Sequence, residues 1–323
     1  MRSKVFGTGL ALLCAVSLAG CSAGLSGSYS LEERMPALSA PTVLSEDEMY
    51  AAAFAQDLCV IGDEQSYEDD SVTSEAAAVF DLDGRDVVYS KNAFERLYPA
   101  SITKVMTALV AIKYGNLADE VTVTEDAVIT EAGATLAGIK PGDKLTMEQL
   151  LYGLMLPSGN DAGAAIAVHM AGSIDKFADM MNEEARSLGA TGTHFMNPHG
   201  LNDPDHYTTA YDLYLIFNEA LKQPMFRKIT GSTAYTANYR NADGDTVSKT
   251  WKGGNWFMTG ERKTPDGLTV FGGKTGTTKA AGYCLIMASR DEQEHEYISV
   301  VLKAGSRPGL YDNMANIISK IVK

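Results

Sequence analysis

Apolar runs of strand length lie near both ends of the region that follows residue 71. Residues 76–80 and 87–89 are apolar and β-leaning, and Asp83-Gly84 between them is typical of a hairpin turn. Further runs of this kind lie in the last third of the chain, at residues 268–271, 282–288 and 297–302. The pattern predicts a sheet assembled from both ends of this region.

The residues between these two groups of strands have the apolar spacing of helices. The predicted helices run from Ser101 to a stop at Gly115, from a capping box at residues 146–149 to a point before Pro157, and over residues 161–171 and 173–189. A closing amphipathic helix is predicted at residues 311–322. The order of elements favours a fold that mixes helices and strands, α/β (α+β), with an inserted helical lobe over about residues 116–230.

Residues 1–20 have the composition of a secretory signal. Arg2 and Lys4 precede an uncharged and mostly apolar run, which is too short to favour a stable membrane span. The run ends in Leu-Ala-Gly directly before Cys21, and this resembles the lipobox of bacterial lipoproteins. The resemblance implies cleavage before Cys21 and lipid attachment to it, which would hold the protein at a membrane. The alternative is an ordinary signal peptide with an incidental cysteine.

The residues that follow Cys21 predict a flexible tether. Residues 22–49 are rich in Ser, Ala, Gly and Pro, and residues 31–70 are strongly acidic. We therefore expect an acidic tether over residues 21–71 and a folded domain over residues 72–323. The chain carries 41 Asp and Glu against 27 Lys and Arg, a formal net charge of −14. This balance argues against nucleic-acid binding, which needs basic patches.

Cys59 and Cys284 remain in the exported chain once Cys14 is cleaved away and Cys21 is lipidated. Export permits a disulfide between them. The favoured interpretation is two separate thiols that pack as small apolar side chains, because the sequence does not supply the geometry of a disulfide.

Ser101 and Lys104 have the spacing of neighbours on one face of a helix. Serine becomes a strong nucleophile only when a base removes its proton, and lysine serves as that base when burial or a nearby cation lowers its pKa. The helix start adds free backbone N–H groups that favour developing negative charge. The spacing alone is unspecific, because Ser173 and Lys176 share it and indicate an ordinary capped helix.

The Ser158-Gly159-Asn160 motif lies in the break between two predicted helices, directly after Pro157. A loop held between helices can direct Ser158 and Asn160 into a cleft. Taken alone, the motif is better explained by helix capping, because Asn and Asp are favoured N-cap residues.

Lys274-Thr275-Gly276 follows a predicted strand and a pair of glycines, which would let a substrate backbone lie close to the strand edge. The lysine and the hydroxyl groups of Thr275 and Thr277 suit a terminal carboxylate. One alternative is a solvated lysine in a Gly-rich turn. A nucleotide-binding P-loop is excluded, because Leu268 occupies the position at which the P-loop motif requires its first glycine.

The three motifs occur in the order S-x-x-K, S-x-N and K-T-G, with Gly159 in place of Asp, and this order is the signature of penicillin-binding proteins and class A β-lactamases. Their surroundings resemble the low-molecular-mass D-alanyl-D-alanine carboxypeptidases over about residues 74–323, at residues 97–104, 157–162, 197–201, 206–210 and 273–283. The resemblance implies a β-lactamase/transpeptidase-like fold, in which an antiparallel sheet is flanked by helices and carries an inserted all-helical lobe.

The resemblance also implies a role for each motif residue. Ser101 is the nucleophile that becomes acylated, and Lys104 is its base. Ser158 relays a proton to the departing D-Ala nitrogen, and Asn160 orients Lys104 and the substrate amide. The backbone N–H groups of Ser101 and Thr277 form an oxyanion hole. The residues expected to bind the substrate carboxylate are Lys274, Thr275, Gly276 and Thr277, with Arg307 as a looser candidate.

By resemblance, the chain is expected to trim the terminal D-Ala from peptidoglycan stem pentapeptides outside the membrane, facing the cell wall. No cofactor or metal is implied, since the histidines lack metal-ligand spacing. Class A β-lactamases carry a Glu-x-x-x-Asn segment after their second motif, whereas residues 193–199 contain no Glu. We therefore expect β-lactams to acylate the protein, and we expect the resulting acyl-enzyme to be hydrolysed slowly. A D,D-endopeptidase acting on cross-links and a penicillin-binding sensor without turnover remain alternatives.

Overall fold

The computed structural model describes residues 57–62 and 69–322. The predicted signal, the Cys21 attachment site and most of the predicted tether lie outside these residues. The described residues all belong to one unit, Tyr50–Lys323. No helix in this part of the chain is long and apolar enough to cross a membrane.

A five-stranded antiparallel sheet consists of β1 (Ala76–Asp81), β2 (Asp86–Lys91), β7 (Thr269–Thr278), β8 (Gly282–Arg290) and β9 (Glu296–Ala304). Its strand order is β2-β1-β9-β8-β7. The pairing of β1 with β9 joins the two ends of the domain, as predicted. The apolar runs of β1, β8 and β9 are continuous because helices cover the sheet on both faces.

The helices begin and end largely where local signals predict. They are α1 (Lys104–Tyr114), α2 (Met147–Met155), α3 (Asn160–Ala171), α4 (Ile174–Ser187), α5 (Ala210–Leu221), α6 (Pro224–Thr230), α7 (Trp256–Thr259) and α8 (Arg307–Ile318), with 3-10 turns at Ala100–Thr103 and Glu125–Ala127. Thr146 and Gln149 form the expected capping box at the start of α2. Gly172 ends α3 in the left-handed region, with φ of 80°. The last helix is shifted from the predicted residues 311–322 to Arg307–Ile318.

The prediction of an all-helical lobe is wrong in one respect. Two short strands, β3 (Glu120–Thr122) and β4 (Lys144–Thr146), pair within it. They extend the hairpin of β5 (Ala234–Arg240) and β6 (Thr246–Lys252) into a second, four-stranded sheet. Strands of three residues show no alternation that a sequence pattern can detect, so their pairing depends on partners far along the chain.

Part of the predicted tether packs on the domain, which corrects the boundary placed at residue 72. The Cys59 side chain is buried, its backbone N–H donates to the Tyr214 hydroxyl at 2.8 Å, and its carbonyl accepts from the Tyr211 hydroxyl at 2.9 Å. The Cys59 thiol donates to the carbonyl of Asp81. Cys284 is buried separately in β8, and both thiols are free, which confirms the interpretation of two unpaired cysteines.

Candidate active site

Ser101 lies in the 3-10 turn that precedes α1, so the α-helix itself begins at Lys104 rather than at the serine. Ala100 has a φ of 48°, an uncommon value for a residue with a side chain. A Cβ atom at Gly200 would clash with the Ala100 carbonyl oxygen. A glycine at 200 therefore lets the neighbouring loop rest directly against the turn that presents Ser101.

The Lys104 side chain is completely buried beside Ser101. Its Nζ atom lies 2.9 Å from the Ser101 Oγ atom, 2.6 Å from the Asn160 Oδ1 atom and 2.6 Å from the carbonyl oxygen of His199. The motif spacing predicted the first contact, and the resemblance predicted the second. The His199 carbonyl was not predicted, because a backbone acceptor has no residue-type signal.

Burial lowers the pKa of Lys104 well below its usual value, and the positive charge of Lys274 lowers it further, while Asp161 opposes the shift. A neutral amine has two N–H donors and one lone pair. The Asn160 and His199 oxygens can only accept, so they take both N–H groups. The lone pair is then left for the hydroxyl proton of Ser101, which is the arrangement that a general base requires.

Ser158 lies between α2 and α3 with a φ of 65°, a left-handed value that a residue with a side chain rarely adopts. Its Oγ atom accepts a hydrogen bond from Nζ of Lys274 at 2.9 Å. Burial lowers the pKa of Lys274 to about 7. Near neutral pH both the ammonium and the amine form of Lys274 are therefore populated beside the Ser158 hydroxyl.

Asn160 does not cap a helix, so the capping explanation of its motif is wrong. Gly159 is the N-cap of α3 and makes no side-chain cap hydrogen bond. A Cβ atom at Gly159 would lie 2.6 Å from the Ala137 Cβ atom, so an aspartate would not fit at this position. The neighbouring Asp161 carboxylate accepts the backbone N–H groups of Ala137, Gly138 and Ile139. Asp161 thereby holds the loop that faces Ser101, a role that sequence reasoning missed.

Strand β7 extends through Lys274-Thr275-Gly276 to Thr278, whereas the sequence pattern predicted an end at residue 271. It is an edge strand of the five-stranded sheet. A Cβ atom at Gly276 would lie 2.9 Å from the Pro99 carbonyl oxygen and 3.0 Å from the Ser101 nitrogen. The close approach of strand and turn is possible only with glycine, and it places the next residue, Thr277, beside Ser101.

Two cavities follow one another along β7 and share Ser101, Thr135 and Thr277 in their linings. The first, here the Arg307 cavity, has a volume of about 250 Å³ and is lined by Ser158, Thr275 and Arg307. The Arg307 guanidinium stacks over the Trp256 ring at 5.3 Å. The structure therefore places Arg307 with the motif residues. The second, here the Glu131 cavity, has a volume of about 620 Å³ and continues past Thr278 to Lys279.

The buried histidines near the site have structural contacts. The His206 Nε2 atom lies 2.8 Å from Thr103 Oγ1, and burial lowers the pKa of His206 to about 4. Burial, together with the charge of Lys104, lowers the pKa of His199 to about 3. Among residues 57–62 and 69–322, no group of three or more His, Cys, Asp or Glu side chains is arranged to hold a metal ion.

Known proteins match the chain in sequence and in fold. A family model described as D-alanyl-D-alanine carboxypeptidase, peptidase S11, matches residues 63–306. The D-alanyl-D-alanine carboxypeptidase DacF of Bacillus subtilis is 34% identical over 238 residues, which cover 72% of this chain and 58% of that protein. DacC of Escherichia coli is 36% identical over 252 residues, which cover 75% of this chain and 59% of that protein. The chain thus spans less than two thirds of the length of these relatives.

Solved structures agree with the sequence relatives. The crystal structure of the Streptomyces K15 DD-transpeptidase superposes with a TM-score of 0.72 at 30% identity, covering 79% of this chain and 98% of that one. A D-alanyl-D-alanine carboxypeptidase from Mycobacterium tuberculosis gives a TM-score of 0.70 at 29% identity, with coverages of 81% and 96%. These matches confirm the predicted antiparallel α+β fold. The family model spans most of the chain, and the chain therefore belongs to the peptidase S11 family of D-alanyl-D-alanine carboxypeptidases.

Proposed function

We propose that this chain removes the carboxyl-terminal D-Ala from peptidoglycan stem pentapeptides through an acyl-enzyme at Ser101. The observation that carries the proposal is the environment of Lys104, a buried amine with a depressed pKa whose two N–H groups are occupied by carbonyl oxygens. Its lone pair is left for the Ser101 hydroxyl, whose Oγ atom lies 2.9 Å from Nζ. Membership of the peptidase S11 family supports the substrate class.

The acylation step follows from these contacts. The Ser101 oxygen attacks the carbonyl carbon of the penultimate D-Ala while its proton passes to Lys104. The developing oxyanion is held by the backbone N–H groups of Ser101 and Thr277, which the contact at Gly276 brings together. When the C–N bond breaks, the Ser158 hydroxyl gives its proton to the departing nitrogen and is reprotonated by Lys274. Water then attacks the ester carbonyl and loses a proton through Ser158 to the neutral Lys274, which restores its ammonium form. The bond to the Ser101 oxygen breaks, and that oxygen takes back the proton held by Lys104.

The Arg307 cavity suits the terminal carboxylate of the substrate. Thr275, Thr277 and Arg307 line it, together with Ser158, whose Oγ atom accepts a hydrogen bond from the buried Lys274. A guanidinium next to hydroxyl groups favours a bidentate anion over a neutral peptide continuation. This preference supports an exopeptidase that acts at a free carboxyl end.

Two alternatives use the same acyl-enzyme and differ only in acceptor or substrate. The Streptomyces K15 structure is named a DD-transpeptidase, an enzyme that passes its acyl group to an amine rather than to water. A D,D-endopeptidase would instead cleave the bond between two cross-linked stems. The decisive experiment therefore offers the purified protein a pentapeptide, a cross-linked dimer, and the pentapeptide with an added amine acceptor.

Release of D-Ala from the pentapeptide, lost in Ser101→Ala, supports the carboxypeptidase. Ser173→Ala is a matched control, because Ser173 has the same spacing to a lysine but caps α4. It should keep full activity while losing about 1 kcal/mol of stability. Cleavage of the dimer alone, or aminolysis without hydrolysis, would overturn the proposal in favour of one of the two alternatives.

We also propose that lipid attached to Cys21 anchors the protein on the outer side of the membrane, and that β-lactams acylate Ser101. The first proposal rests on the Leu-Ala-Gly-Cys sequence and the second on the three motifs. An intact mass of the protein extracted from membranes tests the anchor, since diacylation of Cys21 adds hundreds of daltons to the chain that begins there. A mass without that addition would contradict it.

A further inference from the structure

The Glu131 cavity has charged groups that the proposed reaction does not use. It opens at Ser101, continues along β7 past Thr278, and is lined by Glu131 and by Lys279, which directly follows the end of β7. With a volume of about 620 Å³ it is more than twice as large as the Arg307 cavity, at about 250 Å³. It therefore has room for side chains of a substrate as well as for its backbone.

The two charges at this cavity are available to a ligand. Both side chains are exposed, and within residues 57–62 and 69–322 neither the Glu131 carboxylate nor the Lys279 ammonium forms an ion pair or a side-chain hydrogen bond. Other acids of the domain differ: Glu120, for example, lies within 3.8 Å of Lys144. A carboxylate and an ammonium left free at one cavity can each accept a group of opposite charge.

The direction of the substrate decides which of its parts reaches these charges. If the terminal carboxylate occupies the Arg307 cavity and the scissile carbonyl lies at Ser101, the acyl side of the peptide must continue into the Glu131 cavity. This step rests on the proposed function. The residues on the acyl side are then the only parts of the substrate that can meet Glu131 and Lys279.

We infer that the Glu131 cavity selects substrates whose acyl side carries a free amine, bound by the Glu131 carboxylate, and a carboxylate, bound by Lys279. A diamino acid side chain has this chemistry. An amine that is already joined in an amide is neutral and loses the attraction to Glu131. The enzyme would therefore prefer stems whose side-chain amine has not been consumed by cross-linking.

Three peptides that end in D-Ala-D-Ala and differ only in one side-chain amine test this inference. The amine is left free, acetylated or succinylated, so its charge is positive, zero or negative. Wild type should cleave the free-amine peptide with a kcat/KM about two- to fivefold above that of the acetylated peptide, as expected for a solvent-accessible ion pair. The difference should lie mainly in KM, and it should shrink at high salt.

Variants at Glu131 assign the preference to its side chain. Glu131→Gln should lower kcat/KM for the free-amine peptide alone, and Glu131→Lys should favour the succinylated one. Glu125→Gln is the matched control, because Glu125 is also exposed but does not line the cavity. Equal cleavage of all three peptides by wild type, or the same profile in Glu131→Gln, overturns the inference and leaves the proposed function standing. Failure of wild type to release D-Ala from any of the peptides overturns both.

Lys279 is tested with a second pair of substrates. One carries a carboxylate beside the free amine at the end of the side chain, and the other lacks it. Lys279→Gln should lower kcat/KM about two- to fivefold for the first and leave the second unchanged. Lys263→Gln, at an exposed lysine that does not line the cavity, should change neither. An equal loss on both substrates would place the Lys279 contact at another carboxylate of the acyl side, and no loss on either would remove Lys279 from the inference.

Discussion

Gly276→Ala tests whether the contact between β7 and the Ser101 turn builds the oxyanion hole. The added Cβ atom would lie 2.9, 3.0 and 3.1 Å from the Pro99 oxygen, the Ser101 nitrogen and the Ile102 nitrogen. Ordinary contacts begin near 3.4 Å. All three neighbours are backbone atoms, so none can rotate away, and strand and turn must separate by about 0.3 to 0.5 Å.

That displacement is large compared with the tolerance of an oxyanion hole. Its donors act at roughly 2.7–3.1 Å from the oxyanion, and removal of one donor typically costs about 10² to 10³ in rate. We expect Gly276→Ala to slow acylation by about 10²-fold. The overpacking should also cost about 1–3 kcal/mol of stability.

The assay is the second-order rate of acylation by a fluorescent penicillin, measured at a temperature at which circular dichroism shows the variant folded. Gly305→Ala is the control, because a Cβ atom at Gly305 meets nothing within 4 Å. It should acylate at the wild-type rate. A folded Gly276→Ala protein that also acylates at the wild-type rate would refute the reasoning, since the site would then tolerate separation of its two donors.

Three further predictions concern the cations of the site. Lys104→Arg should reduce penicillin labelling by at least about 10²-fold, because arginine stays protonated and cannot accept the Ser101 proton; near-normal labelling would remove Lys104 as the base. The pKa of Lys274 is about 7 in the folded protein, whereas its ordinary value, which the unfolded chain has, is 10.5. Between these two pH values the unfolded chain binds more protons, so the free energy of unfolding of the wild-type protein should rise with pH. Lys274→Met should reduce this rise by up to about 1.4 kcal/mol per pH unit, measured by urea unfolding from pH 7 to 9. The same dependence of unfolding free energy on pH in both proteins would contradict the depressed pKa. Arg307→Gln should raise KM about tenfold for a peptide with a free carboxyl end and leave KM for its amide unchanged; an equal effect on both would exclude carboxylate binding.

Much of the fold could be predicted because its signals are local. The capping box at Thr146 and the glycine that ends α3 act within a single turn of helix, so residue type alone locates them. The hairpin of β1 and β2 depends on a tight turn in which the Asp81 carboxylate accepts the N–H groups of Asp83 and Gly84. The strands β3 and β4 have no such local signal, and their place in the sheet depends on pairing with each other and with the distant strand β5.

The active-site contacts likewise include some that the sequence predicts and some that it does not. The contact of Ser101 with Lys104 was predictable from helical spacing, and the contact of Asn160 with Lys104 only from the resemblance carried by the three motifs together. The third partner of Lys104 is a backbone carbonyl 95 residues away, which any residue type could supply. The docking of Cys59 against Tyr214 was likewise hidden by the acidic composition around it.

The three motifs in their order thus indicate a nucleophile, a base and an anion-binding lysine, since these roles belong to side chains whose types and spacing the sequence states. Folding supplies what the side chains lack alone. Burial shifts the pKa of Lys104 and of Lys274, and a glycine at 276 lets a strand touch the serine turn. Dielectric environment and close contact arise only when segments that are distant along the chain come together, and for that reason they are absent from the linear pattern.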